Sequence, residues 1–383
     1  MPIYLDNAAT SFPKPEQVYT AVMNAMQQVG ASPGRGGYGS SLDASRLLLA
    51  AREAVAEMVN CSDAARVIFT HNATVALNIA VMGTLQPGDH VITTSMEHNS
   101  LLRPLFMIEK QGVELTVVPG DPQGVVDPAR IRAALRPATR MIAVAHVSNV
   151  TGGIQDCAAI AAIARDAGVL MLLDAAQSAG SQELDMQRIG IDLLAAPGHK
   201  GLLGPQGTGF LAVAPGVQLR PVMAGGTGSS SDQDHQPDGF PEGFEPGTHN
   251  LPGIAGLHAG IAFVQATGLE RIRQHEHDLA EYARAALQQL PGCRLYGPLQ
   301  AGQRSGVVSF ALDGLDAATV AFLLDREHGI AVRAGLQCAP RAHRTIGSYP
   351  GGTVRLSPGW FNTRDHIDLL CDALISITRK GTS

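Results

Sequence analysis

The chain has 383 residues, of which 45% are hydrophobic and 16% are charged, so it is long enough for two globular domains with a sizeable core. Its net charge of −6 and its lack of Lys/Arg runs exclude a general nucleic-acid binder, and its five scattered cysteines suit neither a disulfide framework nor a zinc site. Because no apolar run approaches the roughly 20 residues of a membrane span, and the N-terminus has no signal-peptide features, we expect a cytoplasmic protein without membrane contact or bound metal.

The first forty residues are rich in turn formers around one predicted helix at 16–29. The segment SPGRGG at 32–37 follows this helix and contains too much glycine to build a core. It is either a plain loop or a segment held near a ligand or a partner subunit. Arg35 within it is a candidate anion contact.

A helix predicted at 42–59 leads into a region where short apolar segments alternate with helical ones. Strands are predicted at 67–69, 91–93, 115–118, 141–147, 169–173, 193–196 and 209–213, with helices from 75 and at 128–135 and 156–167. Apolar strands separated by helices are typical of a mostly parallel sheet that is buried on both faces. The pattern therefore predicts an α/β domain around a seven-stranded sheet.

The C-terminal third predicts a second, smaller α+β domain. A long Gly-, Ser- and Pro-rich loop at 224–248 precedes it. Helices are predicted at 253–267, 269–290, 317–327 and 363–378, and strands at 307–312, 330–333 and 353–356. We expect a large domain at 16–255 and a small domain formed by 1–15 with 256–383.

Polar residues follow several predicted strands of the large domain directly. They are Thr74, His98, Asn149, Asp174 and Lys200. In open parallel sheets, ligands bind beyond the carboxyl ends of the strands. These side chains are therefore expected to converge on one ligand site.

Lys200 is one of only four lysines in the chain and lies in the glycine-rich segment PGHKG at 197–201. Arginine cannot replace an amine that must condense with a carbonyl. The hypothesis is that Lys200 forms a Schiff base with pyridoxal 5′-phosphate (PLP). The alternative is a solvated lysine in a Gly/Pro turn, and the convergence of polar strand ends favours the first interpretation.

PLP also needs a carboxylate for its pyridine nitrogen, a face to stack on and a cup for its phosphate. Asp174 ends an apolar strand and suits the nitrogen, Gln177 can reach the ring hydroxyl, and His98 can stack on the ring. The pair Ala73-Thr74 opens a helix and, with His199, suits the phosphate. Taken singly, Asp174 and Thr74 could equally be helix caps, and His98 a plain loop residue.

Together these residues fall in short motifs that span nearly the whole chain. The motifs are YLDNAAT at 4–10, NAT at 72–74, MEHN at 96–99, HVSNVTG at 146–152, DAAQ at 174–177, GHK at 198–200, FEPGT at 244–248, Arg355, and FNT at 361–363. In this order they resemble the class V aminotransferase group of fold-type I PLP enzymes, and within it the cysteine desulfurase and selenocysteine lyase family.

The resemblance implies residue roles as well as a fold. It implies cofactor contacts from Ala73, Thr74, His98, Asn149, Asp174, Gln177, His199 and Lys200. It also implies a homodimer with active sites at the interface, where Thr248 of the neighbouring subunit contacts the phosphate. Asn149 and Arg355 would bind the amino acid carboxylate, because the arginine fork matches a carboxylate in bidentate geometry.

The family's nucleophilic cysteine maps onto Cys338, in a predicted turn between Gly335 and Pro340. Nearby basic side chains would favour the reactive thiolate; they are Arg333, Arg341 and His343. The alternative is an inert buried cysteine.

Two positions depart from the family pattern. Pro197 stands where the family usually has a phosphate-binding hydroxyl, so weaker cofactor retention or compensation elsewhere is expected. Gln337 stands where related desulfurases often have histidine, which puts a proton-transfer role at that position in doubt.

The function that follows is conversion of L-cysteine to L-alanine, with the sulfur transferred to Cys338 as a persulfide and then to an acceptor. Other interpretations stay open: a selenocysteine lyase, another class V enzyme such as a transaminase or epimerase, and a non-enzymatic scaffold with a PLP-enzyme fold.

Overall fold

The computed structural model describes residues 2–34, 36–228 and 232–381. Its strands are β1 (Ile3–Tyr4), β2 (Val67–Thr70), β3 (His90–Thr94), β4 (Glu114–Val118), β5 (Thr139–Ala145), β6 (Leu170–Asp174), β7 (Leu193–Pro197), β8 (Gly209–Val213), β9 (Cys293–Tyr296), β10 (Val308–Leu312), β11 (Ile330–Ala331), β12 (Arg333–Gly335) and β13 (Thr353–Leu356). Its α-helices are α1 (Glu16–Asn24), α2 (Gly39–Val59), α3 (Ala73–Thr84), α4 (Asn99–Glu109), α5 (Pro128–Ala133), α6 (Cys157–Ala167), α7 (Met186–Ile189), α8 (Leu251–Thr267), α9 (Leu269–Leu287), α10 (Ala317–His328), α11 (Pro340–Thr345) and α12 (Arg364–Gly381).

The predicted seven-stranded sheet is present, with strand order β2-β8-β7-β6-β5-β3-β4. Strand β8 pairs antiparallel with β2 and β7, and the other pairings are parallel. The mostly parallel α/β architecture is thus confirmed. The carboxyl ends of the central strands β5, β6 and β7 meet along one edge, which is where a ligand site is expected.

Both faces of this sheet are covered by helices, which explains why its strands are apolar throughout. Consecutive strand residues point to opposite faces, so Met141 belongs to one core and Ile142 to the other. One core packs Leu77 of α3 and Leu105 of α4. The opposite core packs helices such as α6, α8 and α2. This double burial gives the strand ends a rigid base.

A smaller antiparallel sheet, β12-β13-β10-β9, follows in the C-terminal part. Its core includes apolar side chains from α9, α10 and α12. The N-terminal strand β1 pairs in parallel with β11, which brings the first residues of the chain to this part of the molecule. The domain boundaries at 16–255 and at 1–15 with 256–383 stay a prediction.

Helix α4 and strand β9 are among the elements that the sequence pattern does not predict. Helix α4 contains Pro104, and a proline inside a helix removes a backbone hydrogen bond and hides the helical pattern. Strand β9 is half-exposed and lacks an apolar run. None of the helices in the described ranges is long and apolar enough to cross a membrane.

Candidate active site

A cavity of about 260 Å³ lies at the carboxyl ends of the central strands. It brings together most of the side chains singled out from the sequence. Its lining includes Ala73, Thr74, His98, Asn149, Asp174, Gln177, His199, Lys200, Cys338 and Arg355. Residues nearly 300 positions apart in the chain thus share one chamber.

Lys200 reaches this chamber from the turn that follows β7. The N-terminal segment fixes that turn, since Ser11 Oγ donates to the Lys200 carbonyl at 2.9 Å and Lys14 Nζ donates to the His199 carbonyl at 2.8 Å. Burial lowers the pKa of Lys200 to about 8, although the nearby Asp174 carboxyl opposes the shift. A substantial share of the amine is therefore neutral and nucleophilic near physiological pH.

Asp174 is the last residue of β6 and is only 2% exposed. Its Oδ1 accepts the N–H of Ala176 at 2.9 Å, and burial raises the pKa of its carboxyl while Lys200 opposes the rise. A buried carboxylate is costly without a cation, and a protonated ring nitrogen would supply one. Gln177 lies one turn further on, where its Nε2 donates to the carbonyl of Ala8 at 3.0 Å.

His98 is the N-cap of α4, which orients its ring. Its Nδ1 accepts the backbone N–H of Ser100 at 3.0 Å and lies 2.8 Å from the Ser100 hydroxyl. The ring proton therefore sits on Nε2, and burial lowers the pKa of His98 to about 4, with the Lys200 charge adding to the effect. The result is a fixed, neutral aromatic face at neutral pH.

The N-terminus of α3 and His199 form the part of the chamber that suits an anion. Asn72 caps α3 by accepting the N–H of Val75 at 3.0 Å, so Ala73 and Thr74 lie in the first turn, where free backbone N–H groups favour negative charge. His199 Nδ1 is buried and has no hydrogen-bond partner among the described residues. An anion with several oxygens fits this arrangement.

Pro197 also lines the chamber, where it pairs with Gly209 in the sheet. A proline offers no N–H and no hydroxyl. Its effect on cofactor retention stays a prediction.

Arg355 is 3% exposed and is held in place from two directions. Its Nη1 donates to the Asn149 carbonyl at 3.0 Å, and its Nη2 donates to Asp6 Oδ1 at 2.7 Å. Its Nε is buried without a partner in the described part of the chain. The guanidinium therefore retains donor capacity for a carboxylate. Sequence reasoning gave Asp6 no role, although it lies within the YLDNAAT motif.

Cys338 is exposed and lines the chamber, so it is not an inert buried thiol. The basic side chains expected around it are largely engaged elsewhere. Both ring nitrogens of His343 are bonded, to Ser348 and Gln337, and the Arg341 guanidinium lies 4.9 Å from the centre of the Phe106 ring. Of the three, Arg333 lines the chamber.

Glu97 is a second residue that sequence reasoning passed over. It is 1% exposed, its Oε1 lies 2.5 Å from Thr94 Oγ1, and its Oε2 accepts the N–H of Ala145 at 2.7 Å. Burial raises its pKa to about 8, and the nearby Asp174 carboxyl adds to the rise. A neutral carboxyl thus joins the ends of β3 and β5. Its position beside His98 was the one available signal.

One predicted site residue of the described ranges, Thr248, lies elsewhere. Thr248 is exposed and is not part of the chamber lining among the described residues. Its loop is anchored by Glu245, which makes a buried bidentate ion pair with Arg52 at 2.7 and 2.8 Å. Arg35 lies outside the described residues.

Comparison with known proteins gives a consistent result over the whole length. A family model described as Aminotransferase class-V matches residues 3–370. A probable cysteine desulfurase of Methanothermobacter thermautotrophicus is 40% identical, over 99% of this chain and 95% of that protein. A cysteine desulfurase of Serratia proteamaculans is 35% identical, over 98% and 93%.

Solved structures agree with the sequence matches. The apo structure of a cysteine desulfurase from Thermococcus onnurineus NA1 matches with a TM-score of 0.92 at 33% identity, covering 99% of this chain and 95% of that one. The cysteine desulfurase CsdA of Escherichia coli matches with a TM-score of 0.88 at 30% identity, with the same coverage. The predicted fold-type I architecture is therefore confirmed.

Proposed function

Because the chain belongs to the class-V aminotransferase family, we propose that it is a PLP-dependent cysteine desulfurase that converts L-cysteine to L-alanine. The observation that carries the proposal is the shared chamber, in which a lysine, a buried carboxyl and an exposed cysteine line the same walls: Lys200, Asp174 and Cys338. The first two suit PLP, and the third suits a sulfur nucleophile.

The chamber fits PLP at both of its polar ends. His199 Nδ1 is a buried atom without a partner among the described residues, and with the N-terminus of α3 it suits the phosphate. Asp174 would pair with the ring nitrogen, His98 would cover the ring, and Lys200 would hold the aldehyde. When bound, the cofactor would supply an electron sink for negative charge at the substrate α-carbon.

The chain's own residues would bind and orient the amino acid. Arg355 and Asn149 would hold the substrate carboxylate. Lys200 Nζ would take the proton from the α-carbon, and a lowered pKa suits an amine that acts as a base near neutral pH. The neutral ring of His98 would exclude water from one side of the chamber.

Cys338 Sγ would then form an S–S bond with the substrate sulfur while the substrate C–S bond breaks. The carbon keeps the electron pair of the broken bond and takes up a proton. Cys338 thiol and L-cysteine thus become a Cys338 persulfide and L-alanine: sulfur is oxidised, carbon is reduced, and hydrogen balances. An acceptor thiol would remove the outer sulfur in a later step.

A cytoplasmic homodimer is part of the proposal. Large apolar side chains are exposed on α1, on the π-helical turn Ala25–Val29 that continues it, and on α2: Tyr19, Met23, Met26, Leu42 and Leu49. Exposed apolar side chains of this size on neighbouring elements support burial against another chain. The exposed Thr248 and the segment with Arg35 would then contribute to the neighbouring subunit's phosphate and substrate sites. Sedimentation of the holoenzyme tests this: a monomer at micromolar concentration would contradict it.

A panel of amino acids, scored for alanine, sulfide and keto acid, tests the activity. With a thiol reductant present to release the outer sulfur, we expect alanine and sulfide from L-cysteine with the wild type and with the control variant C371A, whose cysteine is half-buried away from the chamber. K200A should lose the absorbance of lysine-bound PLP and all activity, and C338A should lose sulfide formation. Sulfide formation retained by C338A would overturn the persulfide scheme. Activity on selenocysteine alone, or keto acid as the product, would identify the other enzyme classes.

A further inference from the structure

The turn that carries Cys338 is conformationally strained. Gln337 and Cys338 have φ angles of +41° and +57°, and they account for two of the four non-glycine residues with positive φ in the described ranges. This region costs a residue with a side chain roughly 1–2 kcal/mol. Two such residues in succession persist only where surrounding contacts hold them.

The large sheet domain supplies two of these contacts. Asn149 Nδ2 donates to the Gln337 carbonyl at 2.7 Å, and the backbone N–H of Asn99 donates to the Cys338 carbonyl at 2.8 Å. Asn149 lies beyond the end of β5, and Asn99 begins α4. The peptide unit between the two strained residues and the one that follows Cys338 are therefore attached to the edge of the sheet that presents the other chamber residues.

The Gln337 side chain supplies the contacts from the opposite side. It is 7% exposed, its Nε2 donates to the Thr353 carbonyl at 2.9 Å, and its Oε1 accepts His343 Nε2–H at 2.8 Å. His343 is fully buried, and its Nδ1 accepts the Ser348 hydroxyl at 2.7 Å. Burial lowers the pKa of His343 to about 4, so the ring stays neutral with its single proton directed at Gln337. In this hydrogen-bonded chain from Thr353 to Ser348, Gln337 Oε1 can only accept. His343 Nε2 must therefore donate, and His343 Nδ1 must accept.

We propose that Gln337 is a positioning residue for Cys338. The side-chain amide of Gln337 bonds the strained turn to β13 and α11, and Asn149 holds the backbone carbonyl of Gln337. A glutamine amide does not transfer protons at neutral pH, so the side chain acts through geometry. The inference rests on the proposed function for its catalytic consequence. Its structural part, the anchoring of the turn, is measurable without any turnover.

The test compares Q337M, which keeps the side-chain length and removes both hydrogen bonds, with Q111M on the exposed turn after α4. S348A removes the hydrogen bond between Ser348 and His343, at the far end of the same hydrogen-bonded chain. It replaces Q337M in the test if Q337M does not fold. Three quantities are measured on the holoenzyme: hydrogen exchange of the peptide containing Cys338, α-proton exchange of L-alanine in D₂O, and the single-turnover rate of persulfide formation from L-cysteine.

For Q337M we expect faster hydrogen exchange at the turn, α-proton exchange within about twofold of wild type, and persulfide formation slowed roughly 10- to 100-fold, because small misplacements of a reacting atom are costly. S348A should show the same selective loss at smaller size, and Q111M none. Unchanged hydrogen exchange, or equal loss of both reactions, would overturn the inference. A wild type that exchanges α-protons without forming persulfide would instead refute the desulfurase proposal, and hydrogen exchange would still decide whether Gln337 anchors the turn.

Discussion

Arg355 and Asp6 form a buried ion pair, with Nη2 2.7 Å from Oδ1 and side-chain exposures of 3% and 12%. Removing one charge from such a pair leaves the other buried without a counter-ion. We expect D6N to lower the free energy of unfolding by about 3–5 kcal/mol. Saturating L-alanine, whose carboxylate supplies a counter-ion to Arg355, should restore part of this loss in the holoenzyme.

Urea denaturation with and without L-alanine measures both effects. D166N is the matched control, because the pair between Arg132 and Asp166 is more than half exposed on both sides and should contribute less than about 1 kcal/mol. Equal stabilities of D6N and D166N would show that Asp6 does not neutralise Arg355.

The lowered pKa of Lys200 predicts how fast the apoenzyme takes up PLP at each pH. Below about 8 the amine is protonated and cannot attack the aldehyde, and above it the amine is neutral. The recombination rate, followed by absorbance, should rise with pH through a midpoint near 8 and not near the ordinary value of 10.5. Burial also lowers the pKa of Lys14 to about 8, so K14R is the control and should keep the midpoint. If the midpoint disappears in K14R, the group that titrates is Lys14 and not Lys200.

Asp174 should affect stability and activity in opposite directions. Burial raises its pKa, so the ionised carboxylate destabilises the folded apoprotein, increasingly as the pH rises above the ordinary value of 3.8. D174N should therefore make the apoprotein more stable than wild type at pH 7, and this gain in stability should be smaller near pH 4. Activity should fall roughly 100-fold, because the ring nitrogen loses its counter-ion. A less stable D174N apoprotein at pH 7 would show that the buried Asp174 carboxylate does not destabilise the fold.

Glu97 is expected to work as a neutral acid. At pH 7 its carboxyl keeps its proton, since burial raises its pKa to about 8, and glutamine reproduces its shape and its bonds to Thr94 and Ala145. E97Q should match wild type within about twofold at pH 7 and exceed it above pH 8, where wild-type Glu97 becomes a second negative charge beside Asp174. E97A should be at least several-fold slower at both pH values. The pH profiles of kcat/KM distinguish these outcomes. If E97Q is as slow as E97A at pH 7, Glu97 does not act as a neutral carboxyl that joins β3 and β5.

Much of the fold was predictable because apolar strands and helices alternate so regularly in the large domain. The same regularity identifies Lys200 and Asp174, since both directly follow or end a strand whose carboxyl end must face the ligand edge. Helix α4 was not predicted because Pro104 interrupts its helical sequence pattern. Thr248 follows from the resemblance alone, since it lies outside the chamber of its own chain.

The remaining site contacts depend on information that local patterns do not contain. Asp6 and Arg355 are 349 positions apart, and the pairing of the N-terminal strand β1 with β11 brings the two regions of the chain together. In the sequence, Glu97 looks like an ordinary polar residue after a strand, and nothing in the local pattern indicates that it is completely buried. The positive φ angles of Gln337 and Cys338 were also hidden, because neither residue type favours that conformation.

If Cys338 receives the sulfur of L-cysteine, mass spectrometry of the holoenzyme after a single turnover should find that sulfur on Cys338. After alkylation of the quenched protein, the peptide containing Cys338 should carry one additional sulfur atom, and the peptides containing Cys293 and Cys371 should not. K200A treated in the same way should show no added sulfur on any cysteine. Alanine formed in stoichiometric amount with Cys338 unmodified, or with the sulfur on another cysteine, would show that Cys338 is not the residue that takes up the substrate sulfur.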